Sequence, residues 1–235
     1  MCGRFALATS PARLARRLLG APVEAEAEAD APRYNIAPGT PIPILRACPE
    51  APEAARLDTA RWGFRPHWAG EDAPRPINAR AEKAATAPYF RDAFAHRRCL
   101  VPASGWYEWQ QQGETKQPYY ITLADPAAEE ALLLAGLWDQ DGPSGEPCCA
   151  ILTEPAGDGL ERIHPRRPVA LDPACRWAWL DPQRTGREAV RRAARRLEPG
   201  RLTWWPVSAR VNRPEHDDAQ LLERQGGQAG GGGSG

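Results

Sequence analysis

The chain has 235 residues, which is enough for one large domain or two small ones, and we expect one. Lysine plus arginine balance aspartate plus glutamate at 30 each, so overall charge gives no indication of nucleic-acid binding, and a phosphate-binding surface would need local clusters of arginine. The six cysteines lack CxxC spacing, the four histidines lack HxxxH or HExxH spacing, and no signal peptide or long apolar segment is visible. We therefore expect a cytoplasmic protein with reduced thiols and without a metal or other cofactor.

Short strands and helices alternate along the chain. Ser10 suits an N-cap and Pro11 a first helical position, which predicts a helix over residues 10–19. The Ala- and Glu-rich stretch 21–31 offers little to pack and is predicted to be an exposed connection. Apolar, β-branched and aromatic runs predict strands near residues 4–7, 42–47, 57–64, 99–102, 119–123, 131–138 and 148–153.

Further helices are predicted near residues 89–94 and 173–180, and an arginine-rich, solvated helix over 187–197. Strands and helices intermix without a βαβ rhythm. This order predicts an α+β single domain with a mostly antiparallel, barrel-like sheet core flanked by short helices. The domain is expected to span residues 2–222, followed by a flexible glycine-rich tail over 223–235.

The second residue is a cysteine, and small residues at this position allow the cell to remove Met1. Removal would leave the α-amine and the thiol of Cys2 on one Cα, a 1,2-aminothiol. Such a pair captures aldehydes, because the amine forms a Schiff base and the sulfur then closes a five-membered thiazolidine. The alternative is a chance cysteine at a frayed terminus.

Polar residues elsewhere could assist this chemistry. Glu108 lies among aromatic residues, which would raise its pKa towards the range useful for proton transfer, unless it simply points outwards from a strand. His164 follows an apolar segment and could equally be a loop histidine. Asn78 and Arg80 are two residues apart, so on an extended segment both would project from the same face.

Six motifs in order make the chain resemble the SRAP (SOS response-associated peptidase) family, which shields abasic sites in single-stranded DNA by cross-linking to them. The resemblance covers roughly residues 2 to 210. The motifs are Met1-Cys2-Gly3-Arg4-Phe5, Tyr34-Asn35-Ile36-Ala37-Pro38, Trp62-Gly63-Phe64-Arg65-Pro66-His67-Trp68, Ile77-Asn78-Ala79-Arg80-Ala81-Glu82, Leu100-Val101-Pro102-Ala103-Ser104-Gly105-Trp106-Tyr107-Glu108-Trp109 and His164-Pro165-Arg166-Arg167-Pro168.

The resemblance implies a catalytic set. Cys2 would be the nucleophile that bonds C1′ of the ring-opened abasic sugar, and Asn78 would hold the Cys2 terminus and the sugar. Glu108 would act as acid and base near the amine, and His164 would protonate the ring oxygen to open the sugar.

The resemblance also implies DNA contacts. Three arginines would neutralise phosphates, Trp68 and the turn at Pro38 would stack or wedge against flanking bases, and Thr153 would contact the sugar. The arginines are Arg4, Arg80 and Arg166. The partner would be single-stranded DNA containing an abasic site, bound by a monomer that is nucleoid-associated on damaged DNA.

Two positions depart from the family pattern. Arg167 stands where an apolar residue is common, and Pro165 where an acidic residue is common, so DNA affinity is affected more than the chemistry. The family name includes a peptidase because removal of the residues before the cysteine was attributed to autoproteolysis. Only Met1 precedes Cys2 here, so methionine trimming suffices and lyase-like Schiff-base chemistry is the main expectation.

Two other functions fit part of the pattern. A glutaminase-like amidohydrolase with an N-terminal cysteine also begins Met-Cys-Gly, but it would need an oxyanion hole and a substrate-carboxylate arginine in motifs that are not found. A non-covalent single-strand binder would use tryptophans and arginines and would not need Cys2. Covalency separates this binder from the cross-linking protein, because a stacking and charge complex dissociates in denaturant and salt.

Overall fold

Two β-sheets make up most of the computed structural model, which describes residues 2–11, 13–14, 31–48, 51–125, 131–198 and 200–225, without the side chains of 51–54. The strands are β1 (Phe5–Leu7), β2 (Arg33–Ile36), β3 (Pro41–Cys48), β4 (Ala51–Trp62), β5 (Asn78–Arg80), β6 (Arg98–Ala103), β7 (Gly105–Gln112), β8 (Thr115–Leu123), β9 (Leu132–Gln140), β10 (Pro147–Pro155), β11 (Arg166–Pro168), β12 (Ala170–Leu171) and β13 (Leu202–Pro206). The described helices are α1 (Ala81–Ala84), α2 (Arg91–His96), α3 (Arg176–Leu180) and α4 (Arg187–Ala193).

The larger sheet closes into a barrel. Strands β4, β3, β6, β9 and β10 pair in that order, and β10 then pairs back onto β4. The closing contact is short and parallel, with Cys148 beside Arg61 and Cys149 beside Trp62. Beyond it, β10 continues alongside β5, also in parallel. Closure removes the sheet edges that open sheets leave unpaired.

The smaller sheet runs in the order β13-β8-β7-β1-β2 and is antiparallel throughout. One face shares a buried apolar cluster with the barrel strands, to which it contributes Phe5, Trp106 and Ile121. The other face packs Tyr107 and Tyr120 against the C-terminal segment, so both faces of this sheet are covered. Short helices and loop residues pack on the outside of the barrel in a third cluster.

The predicted fold class is confirmed: the molecule is a mixed α and β domain, mostly antiparallel and barrel-like, with short flanking helices. The parallel pairing of β10 with β4 and β5 is an exception that local patterns do not reveal. Strand β13 was not expected from the sequence. It forms because its partly buried residues pair with β8 along their whole length.

Two helix predictions need comment. Most of the helix predicted over 10–19 lies outside the described residues, but the Ser10 Oγ accepts the backbone N–H of Arg13 at 3.2 Å, as an N-cap does. The helix predicted over 187–197 ends at Ala193, because the following backbone forms a bridge to Leu171 instead.

The tail over 226–235 lies outside the described residues, and the proposed domain boundary stays a prediction. No helix among the described residues is long and apolar enough to cross a membrane.

Candidate functional site

The N-terminal segment is fixed at the junction of the two sheets. The backbone N–H of Tyr107 donates to the Arg4 carbonyl at 2.9 Å, and β1 pairs Phe5 with Trp106. Gly105 allows this close packing, because a Cβ there would lie 2.5 Å from the Ile121 carbonyl oxygen. Strand β7 therefore runs directly beside the residues that follow Cys2.

Asn78 connects the second sheet to the same point. It begins β5, where it lies beside Ile151 of β10, and its Nδ2 donates to the Cys2 carbonyl at 2.8 Å. Its Oδ1 is buried and accepts no hydrogen bond from a described residue. The amide thus anchors Cys2 by one end and keeps an acceptor available at the other.

Glu108 faces inwards, so the alternative of an outward-pointing strand glutamate is wrong. Alternation along β7 puts Glu108 on the same face as Trp106, with Tyr107 on the opposite face. The residue is 4% exposed, and burial raises the pKa of its carboxyl from 4.5 to about 7. Near neutral pH the group therefore occupies both protonation states, which suits it to take and return a proton.

The thiol of Cys2 is fully buried within the apolar cluster at the junction. Burial raises its pKa well above the ordinary value, and the nearby negative charge of Glu108 raises it further. The sulfur is therefore a neutral thiol in the free protein. Nucleophilic attack consequently starts more easily from an amine at this position than from the sulfur.

His164 also lies beside Glu108. It follows a 3-10 turn (Leu160–Arg162), and its backbone N–H donates to the Leu160 carbonyl at 3.0 Å. Its Nδ1 lies 3.9 Å from Oε2 of Glu108. Partial burial lowers the pKa of the imidazole, an effect partly offset by its hydrogen bond to the Arg166 backbone. Four residues from separate parts of the chain, namely Cys2, Asn78, Glu108 and His164, thus meet at one place.

Thr153 and Arg166 form the wall beside His164. Thr153 is fully buried at the end of β10, level with Arg80 of β5. The guanidinium of Arg166 binds both carboxylate oxygens of Glu82, at 2.7 and 3.0 Å, and also the Thr153 carbonyl at 2.6 Å. In the free protein this arginine is held mainly by protein groups, and its role as a phosphate ligand stays a prediction.

Arg4 is also engaged within the protein. Its Nη1 donates to Oδ1 of Asn35 and to the carbonyl of Val211, each at 2.8 Å. Asn35 in turn donates to the carbonyls of Arg213 and His216, which ties the C-terminal segment to β2. This geometry suits a residue that fixes the N-terminal segment, and phosphate binding by Arg4 stays a prediction.

Three other predicted DNA contacts are exposed. Trp68 is 58% exposed and packs edge-on against Tyr89, with ring centroids 5.8 Å apart. Pro38 is exposed in the turn before β3, where Gly39 adopts φ +81° and its N–H donates to the Trp62 carbonyl. Arg80 is exposed, and its side chain makes no hydrogen bond or ion pair with a described residue.

The loop that presents Trp68 is braced by buried charge. It leaves the barrel after β4 and returns at β5, and its two ends join where the Phe64 N–H donates to the Pro76 carbonyl at 3.0 Å. Inside the loop Arg65 Nε binds Oδ1 of Asp141 at 2.6 Å, and both side chains are nearly inaccessible. The exposed indole is therefore carried by a fixed support.

An open cleft of about 410 Å³ lies beside two of the four residues that meet at Cys2. Its lining consists of Glu108, Trp109, Lys116, His164 and Asn212. Neither Lys116 nor Asn212 was expected from the sequence. No sequence motif indicates Asn212, because it is distant in the chain from the other residues of the cleft. Its Oδ1 accepts a hydrogen bond from the indole N–H of Trp109 at 2.8 Å, which places it in the cleft.

Among the described residues, no cluster of three or more His, Cys, Asp or Glu side chains could hold a metal ion. All six cysteines are described, and all six are free thiols.

Comparison with known families and proteins adds an independent line of evidence. The model of the SOS response associated peptidase (SRAP) family matches residues 1–214. The abasic site processing protein YedK of Escherichia coli is 36% identical over 230 residues, which are 95% of this chain and 99% of that protein. The abasic site processing protein HMCES of Gallus gallus is 29% identical over 262 residues, covering 94% of this chain and 77% of that protein.

Solved structures agree on the architecture. A phage-related protein from Bordetella bronchiseptica is 33% identical, with a TM-score of 0.70 over 88% of this chain and 94% of that one. A Bacteroides thetaiotaomicron protein is 21% identical, with a TM-score of 0.80 over 95% of this chain and 100% of that one, and supports the fold alone.

Proposed function

This chain belongs to the SRAP family, and on that premise we propose that it senses abasic sites in single-stranded DNA and cross-links to them covalently through Cys2. The YedK and HMCES relatives are both named abasic site processing proteins. The finer chemistry is supported by one observation above all. A neutral, buried Cys2 lies close enough to the Glu108 carboxyl, whose pKa is about 7, to experience its charge, and His164 Nδ1 lies 3.9 Å from the same carboxyl.

The reaction begins with opening of the sugar. An abasic deoxyribose is mostly a closed ring, and the aldehyde at C1′ appears when the C1′–O4′ bond breaks and O4′ gains a proton. His164 is the proposed proton donor, because it lines the cleft through which a sugar would enter. The proton of the C1′ hydroxyl passes to water, and Glu108, whose Oε2 lies 3.9 Å from Nδ1 of His164, keeps its own proton for the capture step.

Capture then joins Cys2 to C1′. After removal of Met1 the α-amine of Cys2 attacks the aldehyde, and a proton from Glu108 helps the resulting carbinolamine lose one water to give the Schiff base. The protonated Schiff base already carries a proton on nitrogen, so the sulfur next adds to the same carbon while the thiol proton returns to the Glu108 carboxylate. The product is a thiazolidine, and the net change is the loss of one water. Asn78 holds the Cys2 carbonyl in place throughout.

DNA binding is proposed to use the exposed surface around the cleft. Trp68 and Pro38 would contact the bases that flank the lesion, and Arg80 would neutralise a phosphate. Thr153 would contact the sugar, with Arg166 and Arg4 on the phosphate side. We propose that the protein acts as a cytoplasmic monomer that joins the nucleoid at damaged DNA, and that its activity is of the lyase type.

Intact mass and denaturing electrophoresis test the proposal directly. The Met1-trimmed protein is incubated with a single-stranded oligonucleotide that carries one abasic site. We expect an adduct with the mass of protein plus DNA less one water, stable in denaturant and salt. The Cys2→Ala variant should bind the same oligonucleotide weakly and form no adduct.

Each other result has a defined meaning. An adduct formed by Cys2→Ala would show that another residue is the nucleophile. Binding without an adduct would favour the non-covalent single-strand binder. No adduct together with hydrolysis of glutamine or another amide would favour the N-terminal-cysteine amidohydrolase.

A further inference from the structure

A chain of contacts links the surface of the domain to His164. Glu82, on the first turn of α1, binds Arg166 through both carboxylate oxygens, a geometry that fixes the plane of the guanidinium. The same guanidinium donates to the carbonyl and to the Oγ1 of Thr153, at 2.6 and 3.2 Å. Arg166 is therefore held from two sides at the start of β11.

The backbone of Arg166 is the partner of His164. Its N–H lies 3.0 Å from Nδ1 of the imidazole, and its carbonyl oxygen lies 2.9 Å from the same atom. A neutral ring with Nδ1 unprotonated can accept the N–H, whereas a ring protonated at Nδ1 can donate to the carbonyl. The backbone of Arg166 can thus satisfy Nδ1 of the imidazole whether or not that atom carries a proton.

We propose that Glu82 is a positioning residue for His164: by clamping Arg166 it holds the backbone N–H and carbonyl that fix the imidazole at Nδ1 during sugar opening. This inference rests on the proposed function. Glu82 does not touch His164 itself, and its side chain is 45% exposed, so it acts through Arg166 alone. Nothing in the proposed covalent chemistry otherwise requires a carboxylate on α1.

Charge adds a second consequence of the clamp. The groups that face His164 are Glu108 of β7, Lys116 of β8, the N-terminal amine and Arg166 itself, and the cations among them disfavour the imidazolium. The Glu82 carboxylate neutralises Arg166, and the pair lowers the pKa of Glu82 in return. Without that carboxylate the full guanidinium charge would act on His164, so its protonated form would be reached only at lower pH.

The test is a double-mutant cycle on the rate of cross-linking at saturating oligonucleotide. We expect Glu82→Gln to react about tenfold more slowly than wild type near neutral pH. The loss should be smaller than that caused by removing the general acid itself, because Glu82 only positions that acid. In the His164→Asn background the same change should alter the rate less than about twofold, since the residue through which Glu82 acts is gone. As the pH falls, the rate should rise to a plateau once His164 is protonated. Glu82→Gln should reach this plateau at a lower pH than wild type.

Two variants serve as controls. Glu82→Asp keeps the charge, so it should restore the wild-type pH profile with an intermediate rate. Asp158→Asn breaks the 3.2 Å ion pair with Arg167, the next residue of β11, and Asn tolerates the positive φ at this position. This variant should react at the wild-type rate.

The alternatives are distinguishable. If the wild-type protein forms no adduct, the proposed function fails. If it does, a wild-type rate for Glu82→Gln, or an equal slowing in both backgrounds, overturns the positioning role. Tighter oligonucleotide binding by Glu82→Gln at an unchanged rate also overturns it, because Glu82 would then compete with a DNA phosphate for Arg166.

Discussion

The buried cluster around Cys2 and the exposed surface around Trp68 are built in opposite ways. Cys2 and Glu108 are almost inaccessible, and burial shifts the pKa of both. Trp68 is more than half exposed, and Arg80 projects into solvent. The first region thus contains desolvated titratable groups, while the second presents an aromatic ring and a positive charge to solvent.

This difference in burial predicts that the exposed surface acts in DNA binding and the buried cluster in the cross-linking reaction. Substitutions in the buried cluster should change the rate of cross-linking at saturating DNA and leave affinity nearly unchanged. Substitutions on the exposed surface should do the reverse. A protein in which the two kinds of effect cannot be separated would contradict this division.

The largest effect is expected for Glu108→Gln, which keeps the shape of the side chain and removes its proton exchange. The rate constant for adduct formation at saturation should fall about 100-fold, as for loss of a general acid and base. The wild-type rate should decline as the pH rises through about 7, where the carboxyl ionises, and the variant should lack this decline. Rapid-quench denaturing electrophoresis across pH 5 to about 9 measures both. Unchanged kinetics would remove Glu108 from the mechanism.

The same substitution should stabilise the protein at high pH. The carboxyl has a pKa of about 7 when folded and 4.5 as the reference, so the folded state prefers its protonated form. Protonated Glu108 therefore contributes its full stabilisation of the folded state below pH 4.5, and this stabilisation is lost as the pH rises through about 7. Relative to wild type, Glu108→Gln should therefore gain on the order of 3 kcal/mol in free energy of unfolding between pH 4 and about 8.

Urea unfolding at both pH values measures that gain. Glu146→Gln, at an exposed glutamate, is the matched control and should show no comparable gain. A difference between Glu108→Gln and wild type that stays constant with pH would show that Glu108 is already ionised in the folded protein.

A smaller effect is expected for Trp68→Ala. Base stacking on an aromatic ring contributes about 1–3 kcal/mol, so affinity for the abasic oligonucleotide should fall about tenfold. Fluorescence anisotropy with Cys2→Ala as the common background reports binding without cross-linking. Trp177→Ala is the control, since that half-buried indole packs beside Arg176 on α3. Loss of reaction rate at saturation with unchanged affinity would assign Trp68 to the buried cluster instead.

The smallest effect is expected for Arg80→Gln. Loss of one phosphate contact should weaken binding a few-fold and reduce the slope of log affinity against log salt by about 0.7, the value for a single strand. Arg56→Gln removes an exposed arginine that is already paired with Asp58 at 3.1 Å, and it should leave the slope unchanged. Equal slopes for wild type and Arg80→Gln would exclude this phosphate contact.

The sequence predicted much of this molecule because its local signals are strong. The strand runs and the α+β class followed from apolar periodicity and from the absence of a βαβ rhythm. The inward direction of Glu108 remained open, because alternation fixes only that it shares a face with Trp106. Which face is buried depends on packing between the two sheets, and that is a long-range property.

Long-range contacts also explain what the sequence could not give. Arg4 stands two residues from Cys2, which suggested a phosphate ligand, yet its guanidinium reaches Asn35 and Val211 across the fold. The clamp on Arg166 joins Glu82 to a residue 84 positions away. Arg167, which departs from the family pattern, is accommodated by ion pairs to Glu154 and Asp158 at 3.3 and 3.2 Å.

The burial of the Cys2 sulfur has a consequence for how the protein endures in a stressed cell. Peroxides and alkylating agents react with exposed thiolates, and this sulfur is neither exposed nor ionised. Among the six thiols only Cys48 is partly accessible, so we expect an oxidant to reach Cys48 before Cys2. If Cys2 is the nucleophile, as proposed, its burial should therefore help to keep it reduced under the same oxidising conditions that damage DNA.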